Sequence, residues 1–389
     1  MWRLIFQVVP IGAWIIAFIT VIRPLELSRR GKFAAAALFA LALGKFAFFA
    51  IVGGDEFTPN LAPAVILGYG WIYATVMLLL VLAFPFDVLC YLLDLAKIRV
   101  SVRTTRGAFA AFAVVAAVFS AWGIYEGVRT PDVNRIEIEY DDLPQSFDGY
   151  RIVHLSDLHC STSARRPRFE RIVERVNALD ADLIAITGDF VDGLVDDRLK
   201  DLEPLARLRA RDGVWGCTGN HERYWDWDGW EGALRGLGVR ILDVSSHFDG
   251  SVIRRGDDAI ALGGLNDPAF SWSADLVLDA AHSFAGAPKG AFRVLLFHRP
   301  YTRAIGSEKA DVKLQLSGHT HGGAMPVLKW LVAFGNEGHV RGLYEFAKGR
   351  YLHVSPGTGQ WAGFPLRLFN PTEITEITLR RKAAGGSER

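Results

Sequence analysis

Ser317-Gly318-His319-Thr320-His321-Gly322-Gly323 sets two imidazoles two residues apart on a glycine-rich turn. The apolar run 312–316 before it reads as a strand, so both histidines fall just past a strand's C-terminal end, where glycines let the backbone fold tightly around an ion. Half of a metal site needs its other half upstream. Asp157 and His159 follow the apolar run 151–155, Asp189 follows 183–187, Asn220 and His221 follow 214–217, and His298 follows 294–297. Strand ends thus converge on one chemistry, and they decide the fold: an α/β domain with its site at the strand termini.

Working outward, the 389-residue chain is 50% hydrophobic, high for a wholly soluble protein. The excess lies before Arg129, in apolar segments at 4–22, 33–52, 61–84 and 107–125, each long enough to cross a bilayer. Only Arg3 precedes the first segment, which is too long for a signal-peptide core and lacks a small-residue cleavage site. The expected organisation is therefore a transmembrane anchor of about four helices over 1–128, a globular domain over 132–380 and a polar tail over 381–389. Arg23, Arg29, Arg30 and Lys32 fill the first short loop, and Lys97, Arg99, Arg103 and Arg106 the third, whereas the second holds Asp55 and Glu56. Basic loops stay in the cytoplasm, which predicts a multi-pass inner-membrane protein with both termini and the globular domain outside. Lys45, a charge within the second segment, is expected to snorkel to the interface or to pair with Asp87.

Net charge is +1, with no basic block after Arg129, so nucleic acid is an unsuitable partner. Of the cysteines, Cys160 and Cys217 sit at site-bearing strand ends; buried free thiols are the expected state and a bridge the alternative. Residues 136–140 alternate as a strand, 167–178 read as an amphipathic helix, and further helices are expected at 195–208, 230–237 and 273–284. Later consecutive strands point to a second, partly antiparallel sheet.

Carboxylates, imidazoles and one amide offer mixed N and O donors, which suit Mn, Fe, Co, Ni or Zn rather than Ca. Asp157, His159, Asp189, Asn220, His298, His319 and His321 are too many for one ion and suit two that share a bridging carboxylate, about 3.5–4 Å apart. Such a pair stabilises displacement at phosphorus, so phosphoester hydrolysis is the expected reaction.

Asp157-x-His159, Gly188-Asp189, Gly219-Asn220-His221-Glu222, His298 and Gly318-His319-Thr320-His321, in this order, resemble the motif series of calcineurin-like metallophosphoesterases. Leu143-Pro144, Asp148-Gly149, Pro365-Leu366-Arg367 and Pro371-x-Glu373-Ile374 look closest to the membrane-anchored bacterial branch, which includes phosphodiesterases and UDP-diacylglucosamine hydrolases. The resemblance implies a double β-sheet sandwich flanked by helices. It implies one divalent ion on Asp157, His159 and His321, another on Asn220, His298 and His319, Asp189 between them, and His221 as the catalytic acid.

Aromatic stretches at 224–230 and 325–334 suggest either lipid contact near the site or core packing. The partners expected are a lipid bilayer and a phosphoester substrate, with a lipid or lipid-linked one favoured. A UDP-linked lipid would need a cytoplasmic site, against the expected topology. Arg299 is read as a phosphate contact or a turn cap, and Glu222 as lining the substrate entrance or a solvated loop. His154, His339 and His353 are expected to be structural, while His247 and His282 carry no pattern. A silent receptor that keeps the fold for binding, a phosphomonoesterase and a nuclease are the competing functions; the first predicts eroded ligands, which this sequence lacks.

Overall fold

The computed structural model describes residues 2–242, 251–270, 278–325 and 328–382. It divides into two compact units, Met1–Gly127 with Ala362–Leu368, and Val128–Trp361 with Phe369–Arg389.

The first unit is helical: α1 (Trp2–Ala17), α2 (Arg29–Leu43), α3 (Lys45–Gly53), α4 (Pro63–Leu95) and α5 (Val102–Val128). Among the described residues α4 and α5 are long and apolar enough to cross a membrane, and α2 with α3 adds a third such span if the pair counts as one. The expectation of about four spans is therefore met by two or three. The second segment breaks at Gly44, where helix axes bend by 63°, and among the described residues the first counts as a shorter apolar helix, Val8–Ile22. Ile72, Phe84, Leu89 and Leu92 of α4 point outward, the pattern of a helix whose surroundings are apolar rather than aqueous.

Lys45 neither snorkels nor pairs with Asp87. It is fully buried, its Nζ donates to the carbonyl of Gly363, and the rings of Phe46, Phe49 and Tyr73 lie 4.3, 5.3 and 5.2 Å away. A carbonyl and aromatic faces give the ammonium partners inside the unit, so the long stem has no reason to reach outward. The same segment packs Pro365 against Gly70 and Leu366 against Gly123, and the Arg367 amide donates to the Gly123 carbonyl.

The second unit holds two six-stranded sheets. One runs β1 (Asp132–Tyr140), β12 (Glu373–Arg381), β2 (Arg151–Leu155), β3 (Leu183–Thr187), β4 (Val214–Cys217) and β5 (Val239–Ile241). The other runs β10 (Gly342–Ala347), β11 (Arg350–Val354), β9 (Leu314–Ser317), β8 (Phe292–Phe297), β7 (Asp258–Leu265) and β6 (Val252–Arg255). Strands β2 to β5 are parallel, as are β7, β8 and β9, so their C-terminal ends gather along one edge of each sheet. Buried on both faces, these strands read as continuous apolar runs, Leu-Ile-Ala-Ile in β3 and Val-Leu-Leu-Phe in β8. Ile152, Leu183, Trp215, Leu262, Val294 and Leu316 fill the space between the sheets.

Helices α6 (Arg166–Asn177), α7 (Val195–Leu202) and α9 (Trp227–Gly236) cover the first sheet through Phe169, Ile172, Leu202, Trp230 and Leu234. Helix α10 (Ala280–Ser283) covers the second with Phe284; short helices α8 (Asn220–Tyr224) and α11 (Lys329–Gly335) lie at the strand ends. The expected double sandwich flanked by helices is what forms. The helix expected at 195–208 stops at Leu202, because Pro204 cannot donate, and continues as a 3-10 turn, Glu203–Arg207. Residues 273–277 of the helix expected at 273–284 lie outside the described residues, as do His247, Pro326, Val327 and most of the polar tail.

Candidate metal centre

Each anticipated residue sits on the first turn after its strand, and most are held in an unusual backbone. Asp157, His159, Asp189, His319 and His321 have φ of 51°, 46°, 53°, 69° and 49°, the left-handed region that non-glycine residues rarely occupy. Strain of this kind persists only where surroundings impose it, and here it turns five donor side chains toward one point. Gly188 (φ 79°) precedes Asp189, and a Cβ there would come within 2.5 Å of the Gly219 nitrogen, so the β3 and β4 turns meet backbone to backbone. Gly318 passes as closely by Ser156 and Asp157.

Asp189 is the centre. Its Oδ2 lies 3.2 Å from His298 Nε2, 3.7 Å from His159 Nε2 and 3.9 Å from His221 Nε2, and its Oδ1 accepts the His221 amide at 2.9 Å. On one side, His321 Nε2 lies 3.1 Å from His159 Nε2 and 3.5 Å from Asp157 Oδ1. On the other, His319 Nδ1 lies 3.2 Å from His298 Nε2. Ligand atoms of Asp157, His159 and His321 fall within 4.8 Å of one another, as do those of Asp189, His298 and His319, and those of His159, Asp189 and His221. Asn220, at the start of α8, is buried with an Oδ1 that has no hydrogen-bond partner among the described residues. A buried acceptor left unsatisfied costs about 1–3 kcal/mol unless something electropositive faces it. The donor set and this orphan oxygen both fit divalent cations.

Outer partners fix which nitrogen each imidazole turns inward. His298 Nδ1 donates to the Thr187 carbonyl at 2.7 Å, leaving Nε2 toward Asp189. Asp192 accepts from His159 Nδ1 at 3.1 Å with one oxygen and from His221 Nδ1 at 2.5 Å with the other. Ser156 Oγ donates to Asp157 Oδ2 at 2.6 Å, and the His319 amide reaches both Asp157 oxygens at 3.2 and 3.1 Å. Such partners orient ligands and raise their basicity.

Charge is shared across this cluster. Burial alone would push the Asp189 carboxyl up, but His298 and His221 hold it well below the usual carboxylate range. Burial likewise opposes ionisation of Asp192, which His159 and His221 nevertheless hold at about 2. Burial disfavours the imidazolium of His221, yet Asp189 and Asp192 raise it to about 9; Asp189 raises His298 to about 10 against the same cost. Burial, then Arg299 and His298, drives His319 well below its ordinary value. Ligation through His298 Nε2 would displace a proton, so metal uptake near neutral pH should release acid.

Two residues escaped the sequence reading. Asp192 was not singled out. Glu222 is not on a solvated loop or at an entrance: fully buried, it accepts the amides of Asp189, Phe190 and Gly219 at 3.1, 2.6 and 2.7 Å. One carboxylate thereby ties the β3 turn to the β4 turn. Arg299 grips the buried Asp267 at 2.7 and 3.1 Å. His154 and His353 are buried and bonded to each other at 2.9 Å, and His339 Nδ1 donates to the Pro300 carbonyl at 2.8 Å. Cys160 and Cys217 are buried free thiols.

Residues 150–323 match the calcineurin-like phosphoesterase family. A Danio rerio transmembrane protein with metallophosphoesterase domain is 32% identical over 69% of this chain and 62% of its own length. A metallophosphoesterase of Caenorhabditis elegans is 30% identical over 88% and 72%, and one of Campylobacter jejuni 30% identical over 69% and 69%. This chain belongs to the calcineurin-like metallophosphoesterase family. It spans about three-fifths of the length of the zebrafish protein and of its Bos taurus counterpart, 62% and 61%.

Proposed function

We propose that the protein hydrolyses a phosphodiester or pyrophosphate bond with two divalent ions, Mn, Fe, Zn or Co, on a membrane lipid or lipid-linked substrate. The observation that carries this reading is Asp189, whose carboxylate stands in one ligand cluster with His298 and His319 and in another with His159 and His221. Asp157, His159 and His321 would hold one ion, Asn220, His298 and His319 the other, with Asp189 between them. Ions bound there supply positive charge for phosphoryl oxygens and acidify a water at neutral pH.

The chain's own groups do the rest. Asp192 anchors His221 Nδ1, so Nε2 faces the cluster from a side chain that keeps some exposure. Against the cost of burial, Asp189 and Asp192 raise the His221 pKa, which suits its Nε2 to give a proton to the leaving oxygen. Ser156 and the His319 amide hold Asp157 still as charge moves nearby. Asp157, His159, Asp189, His298, His319 and His321 gather in overlapping clusters, which supports catalysis over a silent binding module. The bacterial membrane-anchored branch, an inner-membrane location and an outward-facing site remain part of this reading, supported by the apolar helices and the loop charges. An outward site favours a phospholipid or another exported phosphoester.

Protein purified in detergent, stripped of metal and reloaded with Mn, Zn, Fe or Co, should cleave bis-p-nitrophenyl phosphate faster than p-nitrophenyl phosphate. Asp189→Asn should abolish cleavage with the fold retained. Normal turnover by that variant would sink the mechanism, and preference for the monoester would replace the diester assignment.

A further inference from the structure

Helix α11 begins soon after the His319/His321 turn and buries none of its residues. Trp330, Leu331 and Phe334 are 81%, 70% and 91% exposed, and their spacing of one and three residues puts them on one side of the helix. The helical part of the stretch left open between lipid contact and core packing is thus not core, although Met325 before it is buried; in the earlier aromatic stretch Tyr224 is exposed while Trp230 is fully buried with Nε1 bonded to the Gly193 carbonyl at 2.8 Å. Three large apolar side chains side by side in water call for a partner.

The helix is anchored at both ends to loops that carry the candidate ligands. At its start, the Lys329 backbone lies against Gly323, two residues past His321, where a Cβ would come within 2.9 Å of the Lys329 Cα. Past its end, Glu337 accepts the amides of Thr302, Arg303 and Ala304 at 2.9, 3.0 and 3.0 Å, and His339 Nδ1 donates to the Pro300 carbonyl at 2.8 Å, all on the loop that follows His298. Asn336 closes the last turn by donating to the Val332 carbonyl at 2.8 Å. An exposed apolar helix so tightly held is a built surface, and whatever covers it is fixed in relation to His298 and His321.

We infer that α11 is a membrane-contact helix, with Trp330, Leu331 and Phe334 entering the headgroup and upper acyl region of a lipid bilayer and holding the candidate metal centre at headgroup depth. Two observations select a bilayer over other occupants. The chain carries helices long and apolar enough to cross a membrane, so a bilayer is tethered to this unit at high effective concentration. The helix also joins tryptophan and phenylalanine to an exposed lysine, Lys329, at its first position, the pairing that suits an interface where apolar and wet layers meet. The surface deepens the proposed reaction by naming where its substrate would lie, and it rests on that reading only for the substrate.

The test measures depth and needs no turnover. In the full-length chain carrying Cys90→Ser, where Cys160 and Cys217 are buried, a nitroxide is attached at Phe334→Cys. The same label goes at Leu89→Cys on the outward face of α4 as the lipid reference, and at exposed Asp197→Cys as the water reference. In phosphatidylcholine–phosphatidylglycerol vesicles, the ratio of oxygen to nickel-chelate collision rates at position 334 should fall near that at 89. A ratio equal to that at 197 overturns the proposal. Loss of both collision rates at 334 also overturns it, because another protein surface then covers the helix. A paired variant, Trp330→Ser with Phe334→Ser, should keep its metal content and its rate on soluble bis-p-nitrophenyl phosphate within twofold. If the wild type cleaves no phosphoester at all, the hydrolase reading fails while the depth result stands.

Discussion

Replacing Asp192 with asparagine probes the centre without touching a ligand. The native carboxylate accepts from two imidazoles at once, His159 at 3.1 Å and His221 at 2.5 Å. Asparagine keeps the shape but offers one acceptor oxygen, and its NH2 faces whichever imidazole N–H is left over. One of the two rings must therefore turn or change tautomer. Outer partners of this kind are worth 10- to 100-fold in metal affinity or activity, about 1.4–2.7 kcal/mol. A second effect separates this from simple damage. Burial lowers the His221 pKa, and Asp189 and then Asp192 bring it up to about 9; removing the Asp192 charge lowers it again. A proton donor loses activity as pH rises through its pKa, so the alkaline limb of the rate profile should move to lower pH in Asp192→Asn. The assay is bis-p-nitrophenyl phosphate hydrolysis from pH 6 to 10 by protein reloaded with one metal, with metal content measured in parallel. A variant within twofold of wild type, with the alkaline limb in place, would refute the role given to Asp192.

Gly318→Ala should strip metal while leaving the sheets intact, since its Cβ would lie 1.8 Å from Ser156 Oγ and 2.3 Å from Asp157 Oδ2; full metal content in the purified variant would contradict that geometry. The His154–His353 pair should make stability fall in acid. Burial drives His353 down to about 4, and burial with His353 drives His154 well below its ordinary value. A folded pKa below the unfolded one gives stability that is complete above about pH 6.5 and lost as pH falls toward the folded value. For His353 the drop from 6.5 to about 4 corresponds to about 3 kcal/mol. Thermal unfolding of His353→Phe should be less pH-dependent between 6.5 and 4 than that of the wild type, and an equal slope would remove the pair as the cause.

Much of the site was legible because each ligand follows a strand buried on both faces, and a continuous apolar run ending in a polar, glycine-rich turn marks itself. Asp157, Asp189 and His298 were read that way. Asp192 was not, because an aspartate three residues past Asp189 in a loop ending at Gly193 has the composition of an ordinary turn. Glu222 escaped for a similar reason: burial comes from the neighbouring turn, through the amides of Asp189 and Phe190, and no local pattern announces it. The sheet order was equally hidden. Strand β12, last in the chain, lies between β1 and β2, parallel to the first and antiparallel to the second, a choice made by packing rather than by its own alternation. In the helical unit, apolarity located the segments but not the break at Gly44, since no proline marks it.

Residues Ala362–Leu368 give the helical unit a consequence for handling the protein. Ala362, Leu366, Arg367 and Leu368 are buried within that unit, and Gly363 supplies the carbonyl for Lys45. A chain begun at Val128, the obvious way to obtain the metallophosphoesterase domain without the apolar helices, would keep this apolar tongue and lose what covers it. Trimming the apolar helices would then trade one insoluble surface for another, and polar replacements at Leu366 and Leu368 belong in any such truncation from the outset.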